Sequence, residues 1–168
     1  MGRANAILRQ QPDRPGDHLE RAAYEYRTDP AVPRFADDRP IIIFDGVCVM
    51  CSHFAQFIMR HDRERRFRLL AAQSTLGTAL YRHFGLDPIS YETIILLENG
   101  RAWFKSEGSI RIVERLGFPW RFASLGRILP RPARDGLYNV VARNRLRWFG
   151  RRETCFLPDS SQADRFLS

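Results

Sequence analysis

Two cysteines three residues apart, Cys48 and Cys51, are the residues of this chain best suited to do chemistry. They sit in Asp45-Gly46-Val47-Cys48-Val49-Met50-Cys51, after an apolar run and before a helix-like pattern. A helix start offers unpaired N–H groups and the positive end of the macrodipole, so a thiolate at Cys48 is favoured and its pKa is expected to fall. One helical turn further on, Cys51 lies within disulfide reach. The expected chemistry is exchange: Cys48 attacks a disulfide, and Cys51 resolves the mixed disulfide; the reverse sequence oxidises a dithiol. Val49 and Met50 bring neither charge nor imidazole, so no extreme oxidant is expected. Asp45 has two readings. It accepts a proton from Cys51 or binds the loop N–H groups, in which case its charge opposes the helix effect on the thiols; or it merely turns the chain and caps the helix.

A Cys-x-x-Cys pair is also half of a zinc site, which Cys155 with His53, His61 or His83 would complete. The second closely spaced pair is missing, so no metal and no cofactor are expected. Non-enzymatic metal or anion binding, with the cysteines as ligands or redox sensor, is the alternative to an enzyme. Cys155 reads either as an auxiliary thiol or as a small buried apolar residue. Three cysteines do not make a disulfide scaffold.

The elements that must position the pair begin at Arg39. Pro40-Ile41-Ile42-Ile43-Phe44 reads as a strand buried on both faces. Met50, Phe54, Phe57 and Ile58 recur at helical spacing and mark a core-facing stripe. Phe67–Leu70 is a second strand. Ser74 or Thr75 caps a second helix with Leu76, Leu80 and Phe84 on one face, closed by Gly85. Thr93–Leu97 and Arg101–Phe104 flank Asn99-Gly100, the dipeptide of a tight hairpin. Ser106 opens a third helix with Ile110, Val113 and Leu116 inward. The order β-α-β-α-β-β-α, with helices on both faces of a small mixed sheet, is an α/β three-layer sandwich of thioredoxin-like type. Residues 1–38, with Pro12, Pro15, Pro30 and Pro33, read as a flexible N-terminal extension, 39–118 as the core, and 119–168 as a basic helical extension packed on it. A last helix over Arg134–Phe149 carries Leu137, Val140, Val141 and Trp148 on a stripe expected to face the domain. Asn144 on that stripe suggests a polar contact.

The formal charge of +8 is concentrated. From Arg111 to Arg152 there are eleven arginines against Glu114 and Asp135. Such a block attracts anionic partners, although charge runs are more often solvated faces; nucleic acid is not favoured, and a peripheral membrane or anionic contact is left to the Arg-rich helix. No apolar run approaches a membrane span and no signal-type segment opens the chain, which makes a cytoplasmic protein the expectation.

Ile41-Ile42-Ile43-Phe44-Asp45-Gly46-Val47-Cys48-Val49-Met50-Cys51 resembles the opening Asp-x-x-Cys-x-x-Cys signature of the DCC family of thiol-disulfide oxidoreductases. Thr93-Ile94-Ile95-Leu96, Asn99-Gly100, Lys105-Ser106, Leu116-Gly117, Trp120, Ala142-Arg143-Asn144-Arg145 through Phe149-Gly150, and Cys155 extend the resemblance over Pro40 to Pro158. It implies a thioredoxin-like fold and dithiol exchange with a protein or small-molecule disulfide or dithiol, plus an unidentified reductant. In thioredoxins a cis-proline that presents backbone to substrate precedes the residue at Thr93; here Glu92 takes its place after Tyr91. Tyr91, Glu92 and Thr93 are thus the expected substrate-binding strip, and docking is expected to differ from thioredoxin's.

Overall fold

The structure is a computed structural model that describes residues 22–154, 156 and 160–167. Five strands form one sheet in the order β4-β3-β1-β2-β5. β1 (Ile41–Phe44) is central, and all four of its residues are buried, as a strand covered on both faces requires. It pairs in parallel with β2 (Arg68–Ala71), Ile41 opposite Arg68, and antiparallel with β3 (Ile95–Glu98), Ile43 opposite Ile95. The parallel pair needs a crossover, supplied by α1 (Val49–His61). β3 and β4 (Arg101–Phe104) form the hairpin marked by Asn99-Gly100, whose φ values of 49° and 74° are both positive.

Alternation along the strands divides the core. Ile41, Ile43, Leu70 and Ile95 point to the face covered by α2 (Thr75–His83), through Leu76, Leu80 and Tyr81. Ile42, Phe44, Leu69 and Leu96 point to the face covered by Ala55 and Ile58 of α1 and Ile112 of α3 (Lys105–Glu114). This is the thioredoxin-like sandwich. Ser74 caps α2, its hydroxyl accepting from the Gly77 N–H at 3.0 Å.

Three features differ from the sequence expectation. The packed structure begins before residue 39: Tyr26, in a 3-10 turn over Glu25–Thr28, and Val32 belong to the α2-side core. Residues 1–21 of the expected extension lie outside the described residues. The C-terminal segment is not only helical, since β5 (Phe166–Leu167) joins the sheet beside β2. The last helix, α4 (Arg131–Phe149), packs on α3 and α1, but of the expected stripe Val141 alone is half-buried, lining a cavity with Cys51. Leu137, Val140 and Trp148 are exposed, while Asp135, Ala142 and Arg145 are buried. Helical spacing identifies a stripe but not which side of it is inward. Here buried polar pairing, Ser106 with Asp135 and Asp45 with Arg145, decides the rotation. Asn144 bonds only within the helix, to the Val140 carbonyl at 2.8 Å.

Gly77 sits where α2 starts across the end of β2. A Cβ there would collide with the Ala71 carbonyl and lie 2.8 Å from Ala72 Cα. Backbone cannot yield as a side-chain tip can. Gly77→Ala is therefore expected to destabilise the protein by ~1–3 kcal/mol through overpacking, outweighing the ~0.5–1 kcal/mol that alanine contributes in a helix. Urea denaturation of the two proteins reads the sign directly.

Candidate active site

The chain leaves the buried end of β1 at Asp45 and turns into α1 within four residues. Cys48 is the residue that caps the helix: its backbone is extended, with φ −80° and ψ 123°, and its Sγ accepts the Cys51 N–H at 3.4 Å. The cap role that one reading gave to Asp45 falls to the sulfur itself. A sulfur in this position receives the helix-end donors that favour an anion.

The two thiols are driven apart electrostatically. The Cys48 thiol falls from its ordinary 9.0 to about 6, because Cys51 donates its thiol hydrogen and then its backbone N–H to the sulfur. The Arg145 charge acts in the same direction, while burial and the Asp45 carboxylate oppose it. The Cys51 thiol is pushed far up by that same donation, by burial and by the charge on Cys48. One proton shared between two sulfurs makes an asymmetric pair.

Beneath the dithiol lies a buried ion pair. Asp45 Oδ2 accepts from Arg145 Nη2 at 2.9 Å, and both side chains are nearly inaccessible, at 2% and 4% exposure. Asp45 Oδ1 accepts from the Val47 N–H at 3.1 Å and from Gln73 Nε2 at 2.6 Å, and Gln73 Oε1 accepts the Gly46 N–H at 3.0 Å. Asp45 therefore binds one loop N–H directly, that of Val47, and reaches that of Gly46 through Gln73, with a compensated charge. Arg145 Nη2 also donates to the carbonyls of Ser90 at 2.8 Å and Tyr91 at 3.1 Å, and its Nη1 donates to Ala142 at 2.6 Å. A single guanidinium joins the loop before α1, the loop before β3 and the middle of α4.

The expected strip is thus brought to the dithiol, though unevenly. Tyr91, at φ 47°, and Glu92 line a cavity of about 210 Å³ with Cys51, Met50, Phe54 and Tyr138. Thr93 is buried, and its carbonyl accepts from the Tyr81 hydroxyl. The Tyr138 hydroxyl accepts the Ile94 N–H at 3.0 Å, and burial raises the Tyr138 pKa. Cys155 lies outside the described residues. The histidines weighed as metal ligands are engaged elsewhere. His61 Nδ1 meets the Phe57 carbonyl at 2.8 Å and its ring packs on Trp120, His83 pairs with Asp29 at 2.7 Å, and His53 is exposed. Among the described residues, no three His, Cys, Asp or Glu side chains converge on a metal-sized site.

The chain after α4 returns over the helix cap. Val49 N–H donates to Gly150 at 3.4 Å, Arg152 N–H to Val47 at 2.8 Å, and Phe156 N–H to Gly46 at 2.8 Å, with Arg151 bridged to Cys48. Cys48 is fully buried under this segment, whereas Cys51 is half-buried and faces the cavity.

A Cys-x-x-Cys pair at a helix cap, on the first crossover of a β4-β3-β1-β2 sheet, agrees with the family comparison. Residues 42–151 match the model of the DCC1-like thiol-disulfide oxidoreductases. The chain belongs to that family. It is similar to the uncharacterized protein YuxK of Bacillus subtilis (strain 168), 35% identical over 127 residues covering 76% of this chain and 93% of that protein. It is also similar to the DCC family protein At1g52590, chloroplastic, of Arabidopsis thaliana, 38% identical over 122 residues covering 72% of this chain and 71% of that protein. No solved structure matches the chain. No helix among the described residues is long and apolar enough to cross a membrane.

Arg145 and Gln73 are site residues that sequence reasoning did not single out. The usable signal was the spacing of Tyr138, Ala142 and Arg145 at i, i+4 and i+7, one inward face with the arginine on it. Removing either member of the ion pair moves the thiol in opposite directions. Asp45→Asn deletes a negative charge and lowers the Cys48 pKa further, while Arg145→Gln deletes a positive charge and raises it above 6. Arg145→Gln also leaves a buried carboxylate unpaired and costs ~3–5 kcal/mol of stability. Iodoacetamide alkylation against pH, at a temperature where both variants remain folded, measures the two shifts.

Proposed function

We propose that the protein exchanges dithiol for disulfide with Cys48 as attacking and Cys51 as resolving sulfur. The observation that carries this reading is the asymmetry of the pair: the cap sulfur has its pKa brought to about 6, while its partner thiol is held protonated. At neutral pH the Cys48 thiolate is favoured over the thiol, and thiolate is the reacting form.

In the reducing direction the Cys48 thiolate attacks one sulfur of a substrate disulfide. The substrate S–S bond breaks, a bond from Cys48 to that sulfur forms, and the other substrate sulfur leaves as thiolate and takes a proton. Cys48 is no longer an anion, so the interaction that held the Cys51 proton is lost. Cys51 gives up that proton and attacks Cys48 Sγ. The Cys48–Cys51 bond forms, the mixed disulfide breaks, and the second substrate sulfur departs. The substrate gains two electrons from the protein and two protons, one given up by Cys51 and one taken from solvent; a reductant of thiol class reverses the change.

Access argues for a different order, because Cys51 faces the cavity and Cys48 is covered. Reactivity decides for Cys48. A thiol held protonated at neutral pH is a poor nucleophile, whereas the cover at Val47–Val49 is held by two backbone hydrogen bonds, one of them 3.4 Å long. Substrate would then be seated along Tyr91 and Glu92, with the buried Thr93 holding that strip through Tyr81.

With a disulfide-bonded peptide, Cys51→Ser should accumulate a stable mixed disulfide at Cys48, while Cys48→Ser should react at least ~100-fold more slowly. The alkylation rate at Cys48 should rise as pH increases through about 6 and then level off, since the thiolate fraction saturates above the pKa. Faster trapping at Cys51 in Cys48→Ser than at Cys48 in Cys51→Ser would reverse the assignment. Stoichiometric zinc protecting both thiols would replace exchange by metal binding.

A further inference from the structure

The outward side of α4 is an apolar stripe left exposed by the described residues. Leu137, Val140 and Trp148, at i, i+3 and i+11, are 65%, 52% and 55% exposed, and Phe149 at the helix end is 50% exposed. Val140, Arg143 and Arg147, at i, i+3 and i+7, run along one flank of the stripe, and both arginines are exposed. Among the described residues this helix forms the ion pairs Arg131–Asp135, Arg134–Glu107 and Arg145–Asp45, all on its inner side or flank. Arg143 and Arg147 make no ion pair with a described residue. The 3-10 segment Trp120–Ile128, which like α4 packs on α3, adds a second exposed row in Phe122, Leu125 and Ile128, together with Phe118 before it.

We propose that the outward face of α4 lies on an anionic membrane surface. Large apolar side chains and unpaired arginines on one exposed helix face suit a bilayer interface, where rings and aliphatic chains enter the acyl boundary and guanidinium groups meet lipid phosphates. A second copy of the chain would set Arg143 and Arg147 close to their own kind, which costs rather than stabilises. A nucleic acid satisfies the arginines but offers no apolar phase to Leu137 and Val140. A surface that is both anionic and oily satisfies the two sets of side chains together. The helix is too polar to cross the bilayer and lies in its plane. Arg145, on the inner flank of the same helix, reaches Asp45 beneath the dithiol, which brings exchange close to the membrane.

Co-sedimentation with vesicles tests this, using phosphatidylcholine alone and phosphatidylcholine with about 30 mol% phosphatidylglycerol, a content that gives a strongly negative surface. The full chain is expected to bind the anionic vesicles at least ~10-fold more strongly, with binding falling as salt rises and tryptophan emission shifting to the blue. Leu137→Glu/Trp148→Glu and Arg143→Glu/Arg147→Glu, all at exposed positions, should each lose ~10-fold or more of that binding while exchange with a soluble disulfide is unchanged. Equal binding to both vesicles, or variants that bind like the parent, would overturn the proposal. So would a dimer in sedimentation velocity that Leu137→Glu/Trp148→Glu dissociates, which would assign the face to a second copy. Because exchange is measured separately, failure of the membrane reading leaves the dithiol reading standing.

Discussion

The structure depends on a carboxylate and a guanidinium that meet one hundred positions apart in the chain, Asp45 and Arg145. Both charges are buried, so each requires the other, and neighbouring polar groups are drawn into the same network. Gln73 fixes one carboxylate oxygen; the carbonyls of Ser90 and Tyr91 fix the guanidinium. The pair thereby locks α4 onto the loops that flank the dithiol, and it sets opposing charges near Cys48. A second buried pair repeats the device at the other end of α1. Asp62 accepts from Phe67 N at 3.0 Å and from Arg165 Nη2 at 2.5 Å, anchoring the segment that leads into β5. The C-terminal part of the chain is thus fastened by two desolvated ion pairs in addition to the packing of Phe156 and Phe166 on Phe44.

This fastening explains the unusual rotation of α4. A helix normally turns its apolar stripe inward, because burying a leucine is worth ~2 kcal/mol. Leaving a buried Asp45 without its cation would cost more than that, and Asp135, close to Ser106, requires the same orientation. With Asp135, Tyr138, Ala142 and Arg145 inward, Leu137, Val140 and Trp148 have only the outside left. Folding and surface chemistry are linked through one choice of helix face.

The first half of the fold was legible because its signals are local. The Ile41–Phe44 run, the Ser74 cap, the Asn99-Gly100 turn and the periodicity of α1 and α2 each depend on residues a few positions apart, and the sheet order follows from them by few topological rules. Cys48 and Cys51 were legible for the same reason. What could not be read was tertiary. An arginine in Arg143-Asn144-Arg145 looks like its solvated neighbours until Asp45 is beside it. Tyr26 looks like part of a loose extension until α2 supplies a core for its ring, and the cover over Cys48 consists of backbone hydrogen bonds, which no side-chain pattern encodes. Glu92 in place of a proline was legible as a departure; its position beside the cavity, next to a left-handed Tyr91, was not.

Under the proposed function Cys48 and Cys51 form a single two-electron couple, poised toward the reduced form by the stabilised Cys48 thiolate. A titration of the whole chain across glutathione redox buffers, with thiol trapping and intact mass at each point, tests that claim most directly. The account predicts one transition in which two hydrogens are lost together, absent in Cys51→Ser and shifted to more reducing potentials in Arg145→Gln, where the thiolate loses its nearest cation. Two independent glutathione adducts, with no internal disulfide at any potential, would contradict it.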